Sequence, residues 1–139
     1  MDYLNATSVC VICVIVGGLI IFKKLLSRPM SKPLVIPKDK TEFTLSEIAP
    51  FNGQGNEGDS ILTAIDGLVY DLKKGRDFYG NGGPYNSFAG RDSTRLLAKN
   101  QISDKTDTGL ALNDTELEQL EKWKEFFNNK YGSIGKLVA

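Results

Sequence analysis

The 139-residue chain contains no histidine, and that absence removes a large share of protein chemistry. Imidazole metal sites, histidine-ligated haem and Ser-His-Asp catalysis are all excluded. Cysteine is nearly absent too: Cys10 and Cys13 are the only two, and both sit inside an apolar run. In that setting Cys-x-x-Cys reads as two small apolar side chains one helical turn apart rather than a redox or metal site. The rest of the chain has no thiol, which suits a reducing cytosol and removes cysteine-based catalysis. Net charge is missing as well, with 17 basic and 17 acidic residues. The balance hides a division, because residues 43 to 139 carry 14 acids against 11 bases, or −3, while Lys23, Lys24, Arg28, Lys32, Lys38 and Lys40 precede them. No nucleic-acid partner is expected, and the six bases are placed to meet anionic lipid headgroups.

What the chain does have begins at the N-terminus. Thr7 to Phe22 carries no charge, and counting from Tyr3 gives the roughly 20 residues that a bilayer-spanning helix needs. A cleaved signal peptide is the rival reading. It is disfavoured because Asp2 stands where a basic n-region belongs, and because the run ends at Lys23-Lys24 instead of at a small-residue cleavage site. Residues 1–22 are therefore expected to be a transmembrane anchor. Residues 23–42, with Pro29, Pro33 and Pro37 among lysines, read as a basic extended linker, and 43–139 as one domain of about 100 residues. The bases all follow the span, so the positive-inside rule puts the domain in the cytosol. Asn5-Ala6-Thr7 fits a glycosylation sequon but lies too close to the apolar run to be used.

Within the domain, Thr44-Leu-Ser-Glu47 fits a capping box for a helix that Pro50 keeps short. Phe51 to Asp59 is a Gly/Asn loop. Ile61–Ile65 and Leu68–Leu72 flank Asp66-Gly67, the strongest short hairpin signal in the chain. Asp92 is placed to cap a short helix through Ala98. A longer helix opens around Asn113–Thr115, where Asn113 with Glu116 and Thr115 with Glu118 are alternative capping pairs. It sets Leu117, Leu120, Trp123, Phe126 and Phe127 at spacings of three and four, which predicts one core-facing stripe with Trp123 buried against a sheet. Ile134 to Val138 reads as a last strand. A hairpin with short helices and no βαβ repeat predicts a small α+β domain.

Residues 75 to 95 are crowded with glycine, aromatics and arginine, too irregular for one helix or strand, so this loop is the candidate binding site. Among its neighbours, Asp59, Asp66, Asp71 and Asp77 lack the spacing of a calcium loop, Gly80-Asn-Gly-Gly-Pro is not a phosphate loop, and no carboxylate pair stands out. Tyr79 and Tyr85 remain, six residues apart. A phenolate is a hard anionic ligand that ferric iron accepts, and a bound cation lowers the phenol pKa. On residue chemistry alone, two tyrosines that merely pack or hydrogen-bond are the favoured reading.

Phe43-Thr-Leu-Ser-Glu, Ala64-Ile-Asp-Gly-Leu-Val-Tyr-Asp-Leu, Gly75-Arg-Asp-Phe-Tyr-Gly, Gly83-Pro-Tyr, Phe88-Ala-Gly-Arg-Asp-Ser-Thr-Arg-Leu-Leu-Ala, Trp123, Lys130-Tyr131 and Ile134-Gly-Lys-Leu occur in that order. Together they resemble the membrane-associated progesterone receptor family, the cytochrome b5-like proteins that bind haem without histidine. The resemblance implies a cytochrome b5-like mixed sheet with short helices. It implies Tyr85 as the axial ligand of a ferric b-type haem, with Tyr79, Lys130 and Tyr131 at the haem edge.

The resemblance further implies an accessory protein of sterol metabolism and haem-thiolate monooxygenases, single-pass in the endoplasmic reticulum membrane, steroid-binding by the family's name, with a haem-dependent homodimer among its states. No apolar sterol pocket is legible in the residues themselves. The alternative is a membrane-tethered interaction module whose haem site is weak or empty. An enzyme with its own turnover has the least support, since no nucleophile–base pair is visible.

Overall fold

The computed structural model describes residues 34–139. The expected anchor and most of the linker lie outside the described residues, among which no helix is long and apolar enough to cross a membrane. Strands β1 (Glu42–Phe43), β2 (Leu62–Ile65), β3 (Leu68–Asp71), β4 (Arg91–Asp92) and β5 (Ser133–Leu137) form one mixed sheet in the order β1-β5-β3-β2-β4. Helices α1 (Leu45–Ile48), α2 (Arg76–Tyr79), α3 (Thr94–Ala98) and α4 (Asp114–Lys130) complete an α+β fold of the expected kind.

The hairpin forms where the sequence places it. Asp66 and Gly67 take φ of 48° and 77°, the left-handed pair that a tight two-residue connection requires. From there β2 and β3 pair antiparallel, from Ile65 opposite Leu68 to Leu62 opposite Asp71. β2 also pairs in parallel with β4, and β5 returns after α4 to lie antiparallel to β3 and parallel to β1. Side-chain alternation then sorts residues into two cores, one on each face of the pleat. Ile61, Ile65, Tyr70 and Leu72 join Leu96, Leu97, Leu120 and Phe127, whereas Leu62, Ala64 and Val69 join Phe43 and Ile48.

Both capping boxes form. Thr44 pairs with Glu47, and at α4 the sequence's two options resolve to Asn113 with Glu116, each backbone N–H donating to the other side chain at 2.9 Å. At α3 the cap position is Ser93, not Asp92. The Ser93 hydroxyl donates to the Phe88 carbonyl, and Asp92 Oδ1 accepts the Thr94 N–H from one residue further out. Residues 34–41, the end of the expected linker, lie along the domain without regular structure. Ile36 packs on the second core, and the Leu34 N–H donates to the buried Asp59 carboxylate at 3.2 Å.

The apolar stripe of α4 is not a single core face. Leu120 and Phe127 are buried, but Leu117 and Phe126 are 46% and 40% exposed and Trp123 is half-buried. At about 100° per residue the five positions fan over about half the helix circumference, with Leu117 and Phe126 at its two edges and Trp123, Phe127 and Leu120 between them. Trp123 lies towards Leu96 and Leu97 of α3. Its indole N–H donates to Asn100 Oδ1 at 3.1 Å.

Candidate functional site

Helix α2 is a single turn that carries Phe78 and Tyr79, and the loop after it folds back on its own start. The Tyr85 N–H donates to the Phe78 carbonyl at 2.8 Å, the Gly83 N–H to Gly80 at 3.0 Å, and the Asn81 N–H to Gly53 at 3.0 Å. Asn86 locks the other end, donating through Nδ2 to the carbonyls of Tyr79 (2.7 Å) and Asn52 (2.9 Å). Gly83 is required by this closeness, because a Cβ there would overlap the Phe78 carbonyl. Backbone bonds, rather than side-chain packing alone, thus set Tyr79 beside Tyr85.

The two rings border a cavity of about 520 Å³. Phe78, Tyr79, Tyr85 and Phe88 form one wall, and the other comes from α3 and the residues after it (Leu96, Leu97, Asn100, Ile102) together with Trp123, Phe126, Phe127 and Lys130 of α4. Its size is that of a ligand site, and its lining is mostly apolar with a few polar groups at fixed places. An apolar pocket that the sequence did not reveal is therefore present. It is built by residues on three separate elements, and the α4 pattern that marks Trp123 and Phe126 reads equally as core.

The two tyrosines differ in setting. Tyr79 is 6% exposed, and burial pushes its phenol well above the usual tyrosine range, with the neighbouring Tyr131 adding to the shift. Tyr85 is 38% exposed and stacks between Phe78 and Phe88, with ring centroids 6.3 and 6.0 Å away. Lys130 places its ammonium 5.8 Å from the Phe78 ring centre and 5.2 Å from that of Phe126, at the cavity edge. Tyr131 stands one layer back, edge-on to Tyr79 at 6.1 Å, and its buried hydroxyl has no properly formed hydrogen bond among the described residues. Of the four expected site residues, three therefore meet at the cavity and the fourth supports Tyr79 from behind.

Residues 44–133 match the family described as cytochrome b5-like haem/steroid binding domain. The chain belongs to that family. Its relatives include the cytochrome P450 regulator dap1 of Schizosaccharomyces pombe, 38% identical over 107 residues, covering 70% of this chain and 63% of that one. Membrane steroid-binding protein 2 of Arabidopsis thaliana is 39% identical over 112 residues (79% and 48% covered), and human membrane-associated progesterone receptor component 2 is 38% identical over 104 (71% and 46%). The chain thus spans between 46% and 63% of the length of these relatives. An Arabidopsis thaliana protein whose structure is described as a cytochrome b5 like fold superposes with a TM-score of 0.58 at 35% identity, over 70% of this chain and 91% of that one.

The donor set of the cavity fits the haem of this family. Its lining nitrogens are a donor-only indole, a neutral amide and an ammonium, none of which suits ferric iron. That leaves the phenols. Of the two, Tyr79 is buried, which raises its pKa, and Tyr85 is the more exposed at the cavity wall.

Proposed function

We propose that the chain binds a ferric b-type haem in this cavity through the Tyr85 phenolate, and works as an accessory protein of haem-thiolate monooxygenases and sterol metabolism held at a membrane by residues 1–22. The observation that carries this is the contrast between a buried, proton-retaining Tyr79 and a half-open Tyr85 on one cavity wall. Haem held by a phenolate supplies a centre that favours the ferric state, because an anionic oxygen stabilises the higher charge. The chain's own residues do the rest: Phe78 and Phe88 hold the Tyr85 ring in place, the wall from Leu96 to Phe127 excludes water, and Lys130 offers a cation to a carboxylate at the ligand's edge.

The name of the yeast relative, a cytochrome P450 regulator, supports the monooxygenase link, and the names of the plant and human relatives support the membrane and steroid assignments. A steroid is flat and apolar, so it competes for the same cavity in this account. Titrating the full chain with hemin in detergent tests the proposal. Saturable growth of a Soret band with a tyrosinate charge-transfer band supports it, and a spectrum identical to free hemin supports an interaction module with an empty site instead.

A further inference from the structure

Between α3 and α4 the chain runs through residues 99–113 without regular structure, and three cations from one side hold this loop. Lys99 Nζ lies 2.6 Å and Arg95 Nε 3.4 Å from Asp107 Oδ2, and Arg95 also donates to the Leu110 carbonyl at 2.6 Å. The hydrogen bond from Lys99, with one from the Gly109 N–H, holds the Asp107 carboxyl down to about 2. The third cation, Arg91, is different. It donates to the Ser103 and Asp104 carbonyls (3.3 and 3.0 Å) and to the Thr106 hydroxyl oxygen (3.3 Å), and among the described residues it has no ion pair. One positive charge of the clamp is left without an anion, and the side chain it reaches is an exposed threonine in an irregular loop.

We propose that Thr106 is a phosphorylation site whose phosphate is received by Arg91, closing the loop onto β4. The transfer is an ordinary kinase step: Thr106 Oγ1 attacks the γ-phosphorus of a nucleoside triphosphate, the bond to the bridging oxygen breaks, the diphosphate leaves, and the hydroxyl proton passes to the kinase's base. A phosphothreonine adds close to two negative charges and three strong acceptor oxygens, which a planar guanidinium meets with two parallel bonds. Ser103 and Thr108 lack this receiver, since Ser103 Oγ accepts the Lys105 N–H within its own turn and among the described residues no cation donates to Thr108. The consequence reaches the cavity because Ile102, one of its lining residues, starts the clamped segment. The loop switch itself is independent of what the cavity holds; only its effect on hemin release rests on the haem assignment.

The test uses the full chain in detergent with phosphothreonine incorporated at position 106, and with phosphothreonine at position 108 as control. Amide exchange over residues 101–110, measured without hemin, slows by about tenfold for the 106 form, and the gain disappears in Arg91→Gln. The second pKa of the phosphate, followed by phosphorus NMR, lies lower at 106 than at 108, which reads the Arg91 contact even if Arg91→Gln fails to fold. Equal exchange with and without phosphate, or equal phosphate pKa values at the two positions, overturns the proposal, as does labelling by cytosolic extract and ATP at Ser103 or Thr108 but never at Thr106. A protected loop in a chain that binds no hemin upholds the switch and contradicts the haem assignment alone.

Discussion

The rings of Tyr79 and Tyr85 lie 6.1 Å apart at 39° to each other, yet the first is 6% exposed and the second 38%. Packing alone gives two identical side chains six residues apart different settings. Burial raises the pKa of the first, whereas the second keeps part of its surface open.

That inequality has a pH signature. The folded pKa of Tyr79 is raised, so its contribution to stability is complete below the unfolded value of about 10 and declines as pH rises above it. Urea midpoints of the wild type should fall between pH 9 and pH 11 more steeply than those of Tyr79→Phe, comparing values of about 9 and 11 that bracket the unfolded tyrosine pKa. Parallel slopes would show that burial of this hydroxyl does not disfavour its ionisation.

Helix α4 separates core from cavity wall. Phe127, 1% exposed and touching Tyr70, Tyr79 and Tyr131, should cost about 3–5 kcal/mol as Phe127→Ala. Trp123→Ala should cost clearly less, since the half-buried ring borders a cavity and leaves no closed void. Denaturant titration of the two variants checks the order, and equal losses would place Trp123 in the core after all.

Two glycines distinguish backbone strain from site geometry. Gly67 has φ of 77° with nothing within 4 Å of a Cβ, so Gly67→Ala should cost about 1–2 kcal/mol and leave ligand binding intact. Gly83→Ala drives a methyl into the Phe78 carbonyl and should shift the loop that aligns Tyr85, weakening hemin binding beyond its effect on stability. Melting curves beside hemin titrations separate the two outcomes.

The proposed membrane orientation rests on six bases on one side of the apolar run and none on the other. Protease added outside intact microsomes should digest residues 34–139. Protection that lasts until detergent is added would reverse the proposed topology.

Much of this architecture is local enough to be legible in sequence. Asp66-Gly67 admits few conformations other than a tight hairpin, and Thr44 with Glu47 and Asn113 with Glu116 satisfy backbone donors within three residues, so both features survive any tertiary context. The cavity is different, because its walls come from segments more than forty residues apart in the chain, Phe78 and Trp123 for example. A helical period reports that Trp123 and Phe126 are apolar and evenly spaced, but not whether the surface opposite them is filled. The clamp of Arg91, Arg95 and Lys99 on residues 103–110 is likewise invisible in sequence, where those cations read as solvated charges. Tyr85 is legible only through its family resemblance, since nothing in Gly83-Pro-Tyr by itself says which of two phenols will be buried.

The most direct measurement compares the hemin complexes of Tyr85→Phe and Tyr79→Phe by absorbance, at hemin concentrations that saturate the wild type. Each change removes one oxygen and keeps the ring, so packing at the wall should survive. Tyr85→Phe should stay folded, bind hemin far more weakly and lose the tyrosinate charge-transfer band, while Tyr79→Phe keeps the band. A wild-type spectrum from Tyr85→Phe, whatever Tyr79→Phe does, would contradict ligation by Tyr85.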